Sequence, residues 1–220
     1  MINRKLIHLS LLFIVVLCGG STIMAIEKPK YKIIKKYDKI EIREYSPYLI
    51  AETEIDANFE EASNIAFRRL FKYISGENSS QSKIKMTAPV NQEKSEKEGE
   101  KITMTSPVSQ VEKEDGKFLI SFVVPSKFTM NTVPQPLDKR VVIRQVPAKI
   151  IAAIKYSGNW SEEKYKIYET LLIEQLQKHN IVIIGNVNFA RYNPPFMPSF
   201  LRRNEILIEV ARSSLNIKES

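Results

Sequence analysis

The chain has 220 residues, a formal net charge of +8 and 26% charged residues, but only one cysteine and seven glycines. A single cysteine, Cys18, excludes an internal disulfide framework. So few glycines also argue against a glycine-rich loop of the kind that binds nucleotide phosphates. The basic residues are dispersed and do not alternate with aromatic ones, so the charge does not predict a nucleic-acid partner.

The N-terminus has the pattern of a secretory signal peptide. Arg4 and Lys5 precede an apolar run at residues 6–17, and small residues follow at 19–21. A positive start, an apolar centre and a small-residue exit are the three parts of such a signal. The apolar run is too short to cross a bilayer comfortably. We therefore expect residues 1–25 to direct export.

Cleavage is predicted after Ala25, with Ser21 as the alternative site. A lipidated Cys18 and a retained N-terminal membrane anchor are the other interpretations of this segment. Cleavage leaves residues 26–220, with a net charge reduced to +6 by the loss of two basic residues. This mature chain is predicted to be one periplasmic or secreted domain without a disulfide or a thiol nucleophile.

Two repeats organise the mature chain. The short one is KIKMTAPV at residues 83–90, which returns as KITMTSPV at residues 101–108 after a polar loop. Each copy is predicted to be a strand that ends at its proline, because proline lacks the backbone donor that a ladder needs.

The longer repeat appears when the sequence is shifted by 101 residues. Without a gap, it aligns Ile42-Arg43 with Ile143-Arg144, Ile50-Ala51 with Ile151-Ala152, and Asn58 with Asn159. Self-similarity of this length indicates two copies of one supersecondary unit.

In the first copy, strands at residues 39–45 and 49–55 are predicted to form a hairpin around Ser46-Pro47. Asn58 is a suitable N-cap for a helix that ends at Gly76. Strands at 102–111 and 118–124 follow, with a turn at Asp115-Gly116. The apolar face of the helix is predicted from five regularly spaced residues: Phe59, Ala62, Ala66, Leu70 and Ile74.

The second copy repeats this order. Strands are predicted at 141–146 and 150–156, a helix at 162–179 capped by Ser161 or Asn159, and strands near 187–192 and 205–210. Residues 127–139 are predicted to be the linker between the units. The fold class is therefore α+β: a distorted antiparallel β-barrel with two outer helices, built from pseudo-two-fold ββαββ units at about 31–126 and 139–210.

Six phrases in this chain, in order over residues 31–210, resemble the SOUL haem-binding family. The resemblance implies a distorted β-barrel with two helices and a non-covalently bound tetrapyrrole, either haem or a free porphyrin. In that family the ring lies between the first helix and the loop before the last strand. The six phrases are IREY at 42–45, KYISG at 72–76, KIKMTAPV at 83–90, SFVVP at 121–125, RYNPPF at 191–196 and RRNE at 202–205.

The positions that match the family's site form two groups. Arginine and lysine can pair with the two propionates of the ring, while aromatic residues contact its faces. Phe67, Leu70 and Phe71 could equally pack in the core, the three basic residues could be a solvated face, and Tyr192 could be a buried phenol. The helix supplies Phe67, Arg68, Arg69, Leu70, Phe71 and Lys72, and the loop supplies Tyr192, Phe196 and Met197.

The predicted site lacks an axial histidine. Where relatives have one, between the Arg and Tyr of the Ile-Arg-x-Tyr phrase, this chain has Glu44. The only histidine after residue 25 is His179, which is better explained as a cation at a helix C-terminus. Met86 and Met104 are interpreted as core residues rather than metal ligands. No metal site is predicted.

These patterns lead to one hypothesis and two alternatives. The hypothesis is an exported, monomeric haem or porphyrin carrier, buffer or scavenger, and not an enzyme, since no catalytic constellation is recognisable. The first alternative is a general small-molecule effector-type binding domain. The second is a protein whose first helix occupies a partner's groove or a membrane surface.

Overall fold

The computed structural model describes residues 26–80 and 99–215. The predicted signal peptide and the first copy of the short repeat lie outside the described residues. Within the described part, the first half of the chain contains one helix and six strands. They are β1 (Tyr31–Tyr37), β2 (Ile40–Tyr45), β3 (Tyr48–Ile55), α1 (Phe59–Ile74), β4 (Asn78–Ser79), β5 (Val108–Glu112) and β6 (Phe118–Val123).

Within the described residues, the second half repeats the order strand–strand–helix–strand–strand after a short extra strand, and it has no counterpart of β1 or β4. Its elements are β7 (Gln135–Pro136), β8 (Val142–Val146), β9 (Lys149–Tyr156), α2 (Glu162–Lys178), β10 (Ile183–Arg191) and β11 (Asn204–Val210). Short 3₁₀ turns lie at Ser199–Leu201 and Arg212–Ser214. The predicted α+β class is confirmed.

Both helices begin and end where their capping residues predict. The Asn58 side chain accepts a hydrogen bond from the Glu61 amide at 2.9 Å, and Gly76 ends α1 with a φ of +120°. Ser161 caps α2 by accepting from the Lys164 amide at 3.3 Å. All five predicted apolar positions of α1 are buried, so local sequence signals determine these helices.

The nine-stranded antiparallel sheet has the order β1-β2-β9-β11-β10-β5-β6-β3-β8. Apart from the additional edge strand β1, this order is symmetric about the β10–β5 pair. Each strand of the first unit therefore has an equivalent strand in the second. The long sequence repeat corresponds to this pseudo-two-fold symmetry.

The predicted hairpin between β2 and β3 is wrong. β2 pairs with β9 and β3 pairs with β8, so that Ile42 faces Ala152 and Ala51 faces Ile143. The two units thus exchange their first strands. Since residues 46–47 extend the chain instead of reversing it, each strand pairs with the other unit rather than with its neighbour.

This exchange requires a strongly curved sheet. Five strands separate β2 from β3 in the sheet, yet only residues 46–47 connect them. Such a connection spans about 10 Å at most. Residues 147–148 connect β8 to β9 in the same way. The sheet must therefore curl until its ends approach, although no strand pair in the described residues closes it. The prediction of a distorted barrel is therefore confirmed in part: the sheet is strongly curved, but closure into a barrel is not shown.

Two boundary predictions also differ from the structure. The strand predicted at 102–111 begins only at Val108, because the segment before it bonds elsewhere: the Ser106 amide donates to the Glu27 carbonyl at 3.0 Å, and the Thr105 hydroxyl donates to the Val123 carbonyl. The predicted linker at 127–139 is packed rather than free. Its Val133 is fully buried, and the Tyr73 hydroxyl donates to the Pro134 carbonyl at 2.8 Å.

The main hydrophobic core lies between the two helices and the convex face of the sheet. A smaller cluster of Tyr45, Ile151, Ala153, Ala190, Tyr192 and Leu207 lies on the opposite, concave face. Alternation along each strand therefore sends successive side chains to different environments. Among the described residues, no helix has the length and hydropathy needed to cross a membrane.

Candidate ligand-binding site

An aromatic surface on α1 faces outward. Phe67 and Phe71 are one helical turn apart and their rings stack, with centroids 5.9 Å apart and an interplanar angle of 12°. Phe67 is 37% exposed and Phe71 is 49% exposed. Beneath them, Phe122 of β6 contacts the Phe67 ring edge-on at 5.4 Å. The pair forms an exposed apolar surface, which Phe122 supports from the core side.

Three basic residues that were predicted to bind the ring lie around this surface, but they differ in whether an anion can reach them. Arg68 and Lys72 are exposed, and Lys72 has a loose ion pair with Glu77 at 3.6 Å. Arg69 is partly buried, and its guanidinium donates to the Thr53 hydroxyl at 2.6 Å. Burial lowers the pKa of Arg69. Arg69 therefore fastens α1 to β3, whereas Arg68 and Lys72 can reach an anion.

Leu70 and Tyr192 are not part of the exposed surface. Leu70 is fully buried in the core, as its place in the apolar stripe of α1 requires. Tyr192 is 7% exposed and belongs to the concave-face cluster, where its hydroxyl donates to Glu205 at 2.8 Å. Burial, followed by the charge of Glu205, raises the pKa of Tyr192 well above its ordinary value.

The β10–β11 loop, residues 192–203, contains the other predicted contacts. Phe196 is 85% exposed and Met197 is half-buried. The Arg202 guanidinium donates from Nε to the Met197 carbonyl at 2.7 Å and lies 4.4 Å from the centroid of the Trp160 ring. The structure thus gives the loop a defined shape and leaves the Phe196 side chain in solvent.

Arg191 links the start of this loop to α1. Its guanidinium donates to the Ser63 hydroxyl on α1 and, at 2.7 Å, to the Gln110 side chain on β5. Burial lowers the pKa of Arg191 to about 10. Ser63 is one helical turn before Phe67, so the β10 end of the loop lies beside the N-terminal half of the aromatic helix.

His179 and Glu44, the two positions considered for an axial ligand, both lie away from the α1 surface. His179 is at the end of α2, where its ring lies 4.1 Å from that of Tyr37. Glu44 is on β2, in the other half of the sheet from α1, and pairs with Arg212. Among residues 26–80 and 99–215, no three His, Cys, Asp or Glu side chains come together as a possible metal site. Met104 packs against the core.

Sequence analysis missed a cavity of about 280 Å³ on the concave face. Eight strands line it, with aliphatic residues alongside Tyr45, Tyr48 and Tyr192. The nearby Asn188 side chain donates to the Ser109 hydroxyl at 3.2 Å, but its buried oxygen has no hydrogen-bond partner among the described residues. This cavity is another place in the fold that could accept a small molecule.

A buried ionic network closes one side of the concave face. Arg43 and Glu205 are both fully buried and form two hydrogen bonds, at 2.7 and 3.0 Å. Arg43 also donates to Glu41 at 2.7 Å. Burial alone would raise the pKa of Glu205, but its bonds to Arg43 and the charges of Arg43 and Arg203 lower it overall.

A more open pair lies at the mouth of the cavity. Arg144 donates to both carboxylate oxygens of Glu52 at 2.8 Å, and their side chains are 48% and 12% exposed. Next to them, Tyr48 makes no hydrogen bond through its hydroxyl within the described structure, and burial raises its pKa to about 12. The sequence feature that pointed to this face was the recurrence of an arginine, Arg43 and Arg144, at the same position in both copies of the repeat.

A family model for the SOUL heme-binding protein matches residues 26–209, which is nearly the whole of the predicted mature chain. The chain belongs to the SOUL heme-binding protein family. Two SOUL relatives are similar at low identity. Human heme-binding protein 2 is 28% identical over 173 residues, covering 76% of this chain and 75% of the human protein. Mouse heme-binding protein 1 is 26% identical over 156 residues, covering 69% and 73% respectively.

The SOUL fold of this chain is also similar to that of the EcmrR C-terminal domain. The TM-score is 0.54 at 9% sequence identity, covering 82% of this chain and 98% of that domain. At this identity the likeness extends to the fold alone, so it supports the curved duplicated sheet and says nothing about a ligand.

Proposed function

We propose that this protein binds haem or a free porphyrin non-covalently on the α1 aromatic surface and acts as a carrier, buffer or scavenger rather than an enzyme. The observation that carries the proposal is the outward-facing stack of Phe67 and Phe71, within a chain of the SOUL family. A flat ring system can lie on these phenyl groups while its edge reaches the β10–β11 loop.

The charges of α1 suit a ring with two carboxylates. Arg68 is one turn from both Phe71 and Lys72, so two exposed cations lie at the border of the aromatic surface. Arginine can bind a propionate through two parallel hydrogen bonds, and lysine through its point charge. Arg69 is already bonded to Thr53, so its role is to hold the helix in place.

Contact alone supports a moderate affinity. Covering about 300 Å² of apolar ring surface would contribute roughly 7–8 kcal/mol. Exposed propionate pairs add at most ~1 kcal/mol each, and association costs at least ~4 kcal/mol. The balance corresponds to dissociation constants from tens of micromolar to about millimolar. Reversible binding of this strength fits a carrier or buffer.

Iron ligation is not required by this arrangement. The His179 ring contacts that of Tyr37 at the end of α2, and α1 packs against β3 and β6 in the other unit. The test is therefore a parallel titration with hemin and with iron-free protoporphyrin IX. Both should bind with similar affinity at one ring per chain, seen as a shifted Soret band or changed porphyrin fluorescence. If neither ring binds at concentrations up to about 1 mM, the weak limit of the expected affinity, the proposal is wrong.

Export is part of the proposal and rests on the sequence pattern of residues 1–25. Fractionation of cells that express the full chain, followed by N-terminal sequencing, tests it. A mature protein that begins at residue 26, or at 22, in the exported fraction is expected. A full-length chain in the cytosolic fraction would contradict this part without affecting ring binding.

The concave-face cavity supports a second candidate function, a small-molecule binding domain. Its volume of about 280 Å³ suits a ligand much smaller than a porphyrin, with the Arg144–Glu52 pair at its mouth. The dye 1-anilinonaphthalene-8-sulfonate provides a test. If this cavity is a site, Glu52→Gln should change dye affinity while leaving hemin binding intact. Unchanged dye binding would remove this candidate.

A further inference from the structure

The β10–β11 loop exposes a cluster of large apolar side chains to solvent. Phe196 is 85% exposed, Phe200 is 73% exposed and Leu201 is 60% exposed. The three residues lie within six positions, in a segment that runs through the 3₁₀ turn Ser199–Leu201. Single exposed apolar residues are ordinary, but a cluster of large ones in one loop indicates a contact surface.

The backbone of this loop is hydrogen-bonded internally. The Met197 amide donates to the Pro194 carbonyl at 3.1 Å, and the Leu201 amide donates to the Pro198 carbonyl at 2.9 Å. Arg202 donates to the carbonyls of Pro195 at 2.5 Å and Met197 at 2.7 Å. A loop with these bonds can enter a less polar medium without leaving many backbone groups unpaired.

Prolines reduce the cost of ordering this loop on binding. Pro194, Pro195 and Pro198 fix three φ angles within five residues. The Arg203 amide also donates to the Asn193 side chain at 2.6 Å, which holds the two ends of the loop together. Because the loop is already rigid, little conformational entropy is lost when its exposed side chains are immobilised.

The charged residues of the loop itself are all positive. No acidic residue occurs between Arg191 and Asn204, and the next one, Glu205, is fully buried. Arg202 stacks on Trp160, and exposed Lys28 lies 5.6 Å from the centroid of the Tyr192 ring. The surface therefore combines exposed apolar groups with cations, and phenylalanine and leucine are among the residues that interfacial anchors insert.

The surface of α1 is less suited to such a contact. Glu60 and Glu61 lie in its first turn and Glu77 follows its end. Near the loop, Glu162 and Glu163 hold the same first-turn position on α2 as Glu60 and Glu61 on α1, so these carboxylates do not distinguish the two surfaces. The difference lies in apolar exposure, since Phe67 and Phe71 are only 37% and 49% exposed. The loop thus has the greater apolar exposure.

We propose that the β10–β11 loop docks this protein on an anionic lipid bilayer. Phe196, Phe200 and Leu201 enter the boundary between headgroups and acyl chains, exposed Lys28 faces lipid phosphates, and the charge of Arg202 adds to the attraction. Apolar insertion and electrostatic attraction reinforce each other in interfacial binding. Docking through this loop does not depend on a bound porphyrin, so the docking proposal and the proposed function can be tested and rejected independently.

The test is co-sedimentation of the ligand-free protein with vesicles of phosphatidylcholine and phosphatidylglycerol. The single tryptophan, Trp160, lies under Arg202 and reports locally on loop insertion. Its emission should shift to the blue on binding and should be quenched by bromine-labelled acyl chains. The Phe196→Ser/Phe200→Ser variant should bind at least about tenfold more weakly, since it removes two inserted phenyl groups.

A matched control is available at the opposite end of β10. Val182 is 54% exposed and Ile184 is 58% exposed, so the Val182→Ser/Ile184→Ser variant removes apolar surface of similar exposure elsewhere. This control should bind vesicles as the unmodified protein does. Equal binding by both double variants, or no sedimentation of the unmodified protein with these vesicles, would overturn the proposal.

Discussion

Arg43 and Arg144 occupy equivalent positions in the two halves of the sheet. They are 101 residues apart, and each faces an isoleucine of the other unit: Arg43 pairs in register with Ile151, and Arg144 with Ile50. Arg43 is fully buried against Glu205, whereas Arg144 is 48% exposed at the cavity mouth. The duplicated position has thus become a buried structural pair in one half and an open pair in the other.

This difference predicts unequal effects on stability. Arg43→Met leaves the Glu205 carboxylate buried without its main partner and should lower the free energy of unfolding by about 3–5 kcal/mol. Arg144→Met should cost only about 1 kcal/mol, because solvent reaches its half-exposed pair. Urea denaturation of both variants measures the two values. Equal losses of unfolding free energy would show that the buried network around Arg43 stabilises the fold no more than the exposed Arg144–Glu52 pair does.

The same network predicts loss of stability in acid. The pKa of Glu205 is lowered overall, since its bonds to Arg43 outweigh the effect of burial. At a separate ion pair, Arg140 lowers the pKa of Asp138 to about 2. A carboxylate with a lowered pKa stabilises the fold above its unfolded pKa of about 4 and loses this contribution as the pH falls further.

Urea midpoints measured between about pH 7 and pH 3 test this acid dependence. They should fall below about pH 4 for the unmodified protein. Glu205→Gln should be less stable at neutral pH and show a weaker decline in acid. A parallel decline in both proteins would assign the acid sensitivity to other groups.

How far the sequence predicts this fold depends on the range of the interactions. The caps at Asn58 and Ser161 and the buried stripe of α1 follow from residues a few positions apart, and all were confirmed. Strand pairing did not follow in this way. Ser46-Pro47 looked like a hairpin turn, but β2 pairs across the pseudo-two-fold axis with a strand about a hundred residues away.

The candidate site was predictable to a similar degree. Helical spacing placed Phe67 and Phe71 together on α1, but it could not show that Arg69 is hydrogen-bonded to Thr53. Tyr192 follows Ala190 by two positions and therefore shares its concave face, opposite the helices. The concave cavity escaped prediction because eight strands from both units form it.

The exposed cations of α1 predict a charge dependence of ring binding. Arg68→Glu/Lys72→Glu should weaken the binding of protoporphyrin by about tenfold, through loss of two attractions and gain of two repulsions. Protoporphyrin dimethyl ester has no free carboxylate and should bind both proteins alike. Fluorescence titration gives both affinities. An equal weakening for the ester would indicate damage to the aromatic surface rather than lost ion pairs.

The position of His179 predicts that it does not ligate haem iron. Its ring lies against that of Tyr37 at the C-terminal end of α2, with the ring centroids 4.1 Å apart. His179→Ala should therefore leave the Soret band of the hemin complex unchanged and cost about 1 kcal/mol of stability through the lost ring contact. Absorption spectra and urea denaturation measure these effects. A shifted or missing Soret band would mean that His179 reaches the iron.

Hemin titration of two matched double variants tests the central claim most directly. Phe67→Ala/Phe71→Ala removes the exposed aromatic pair of α1, and Ile167→Ala/Leu171→Ala removes an apolar pair of similar spacing on α2, where the two residues are 52% and 40% exposed. The α1 variant should bind hemin at least about tenfold more weakly, while the α2 variant should bind as the unmodified protein does. Equal affinity of both variants for hemin would show that the ring does not lie on α1.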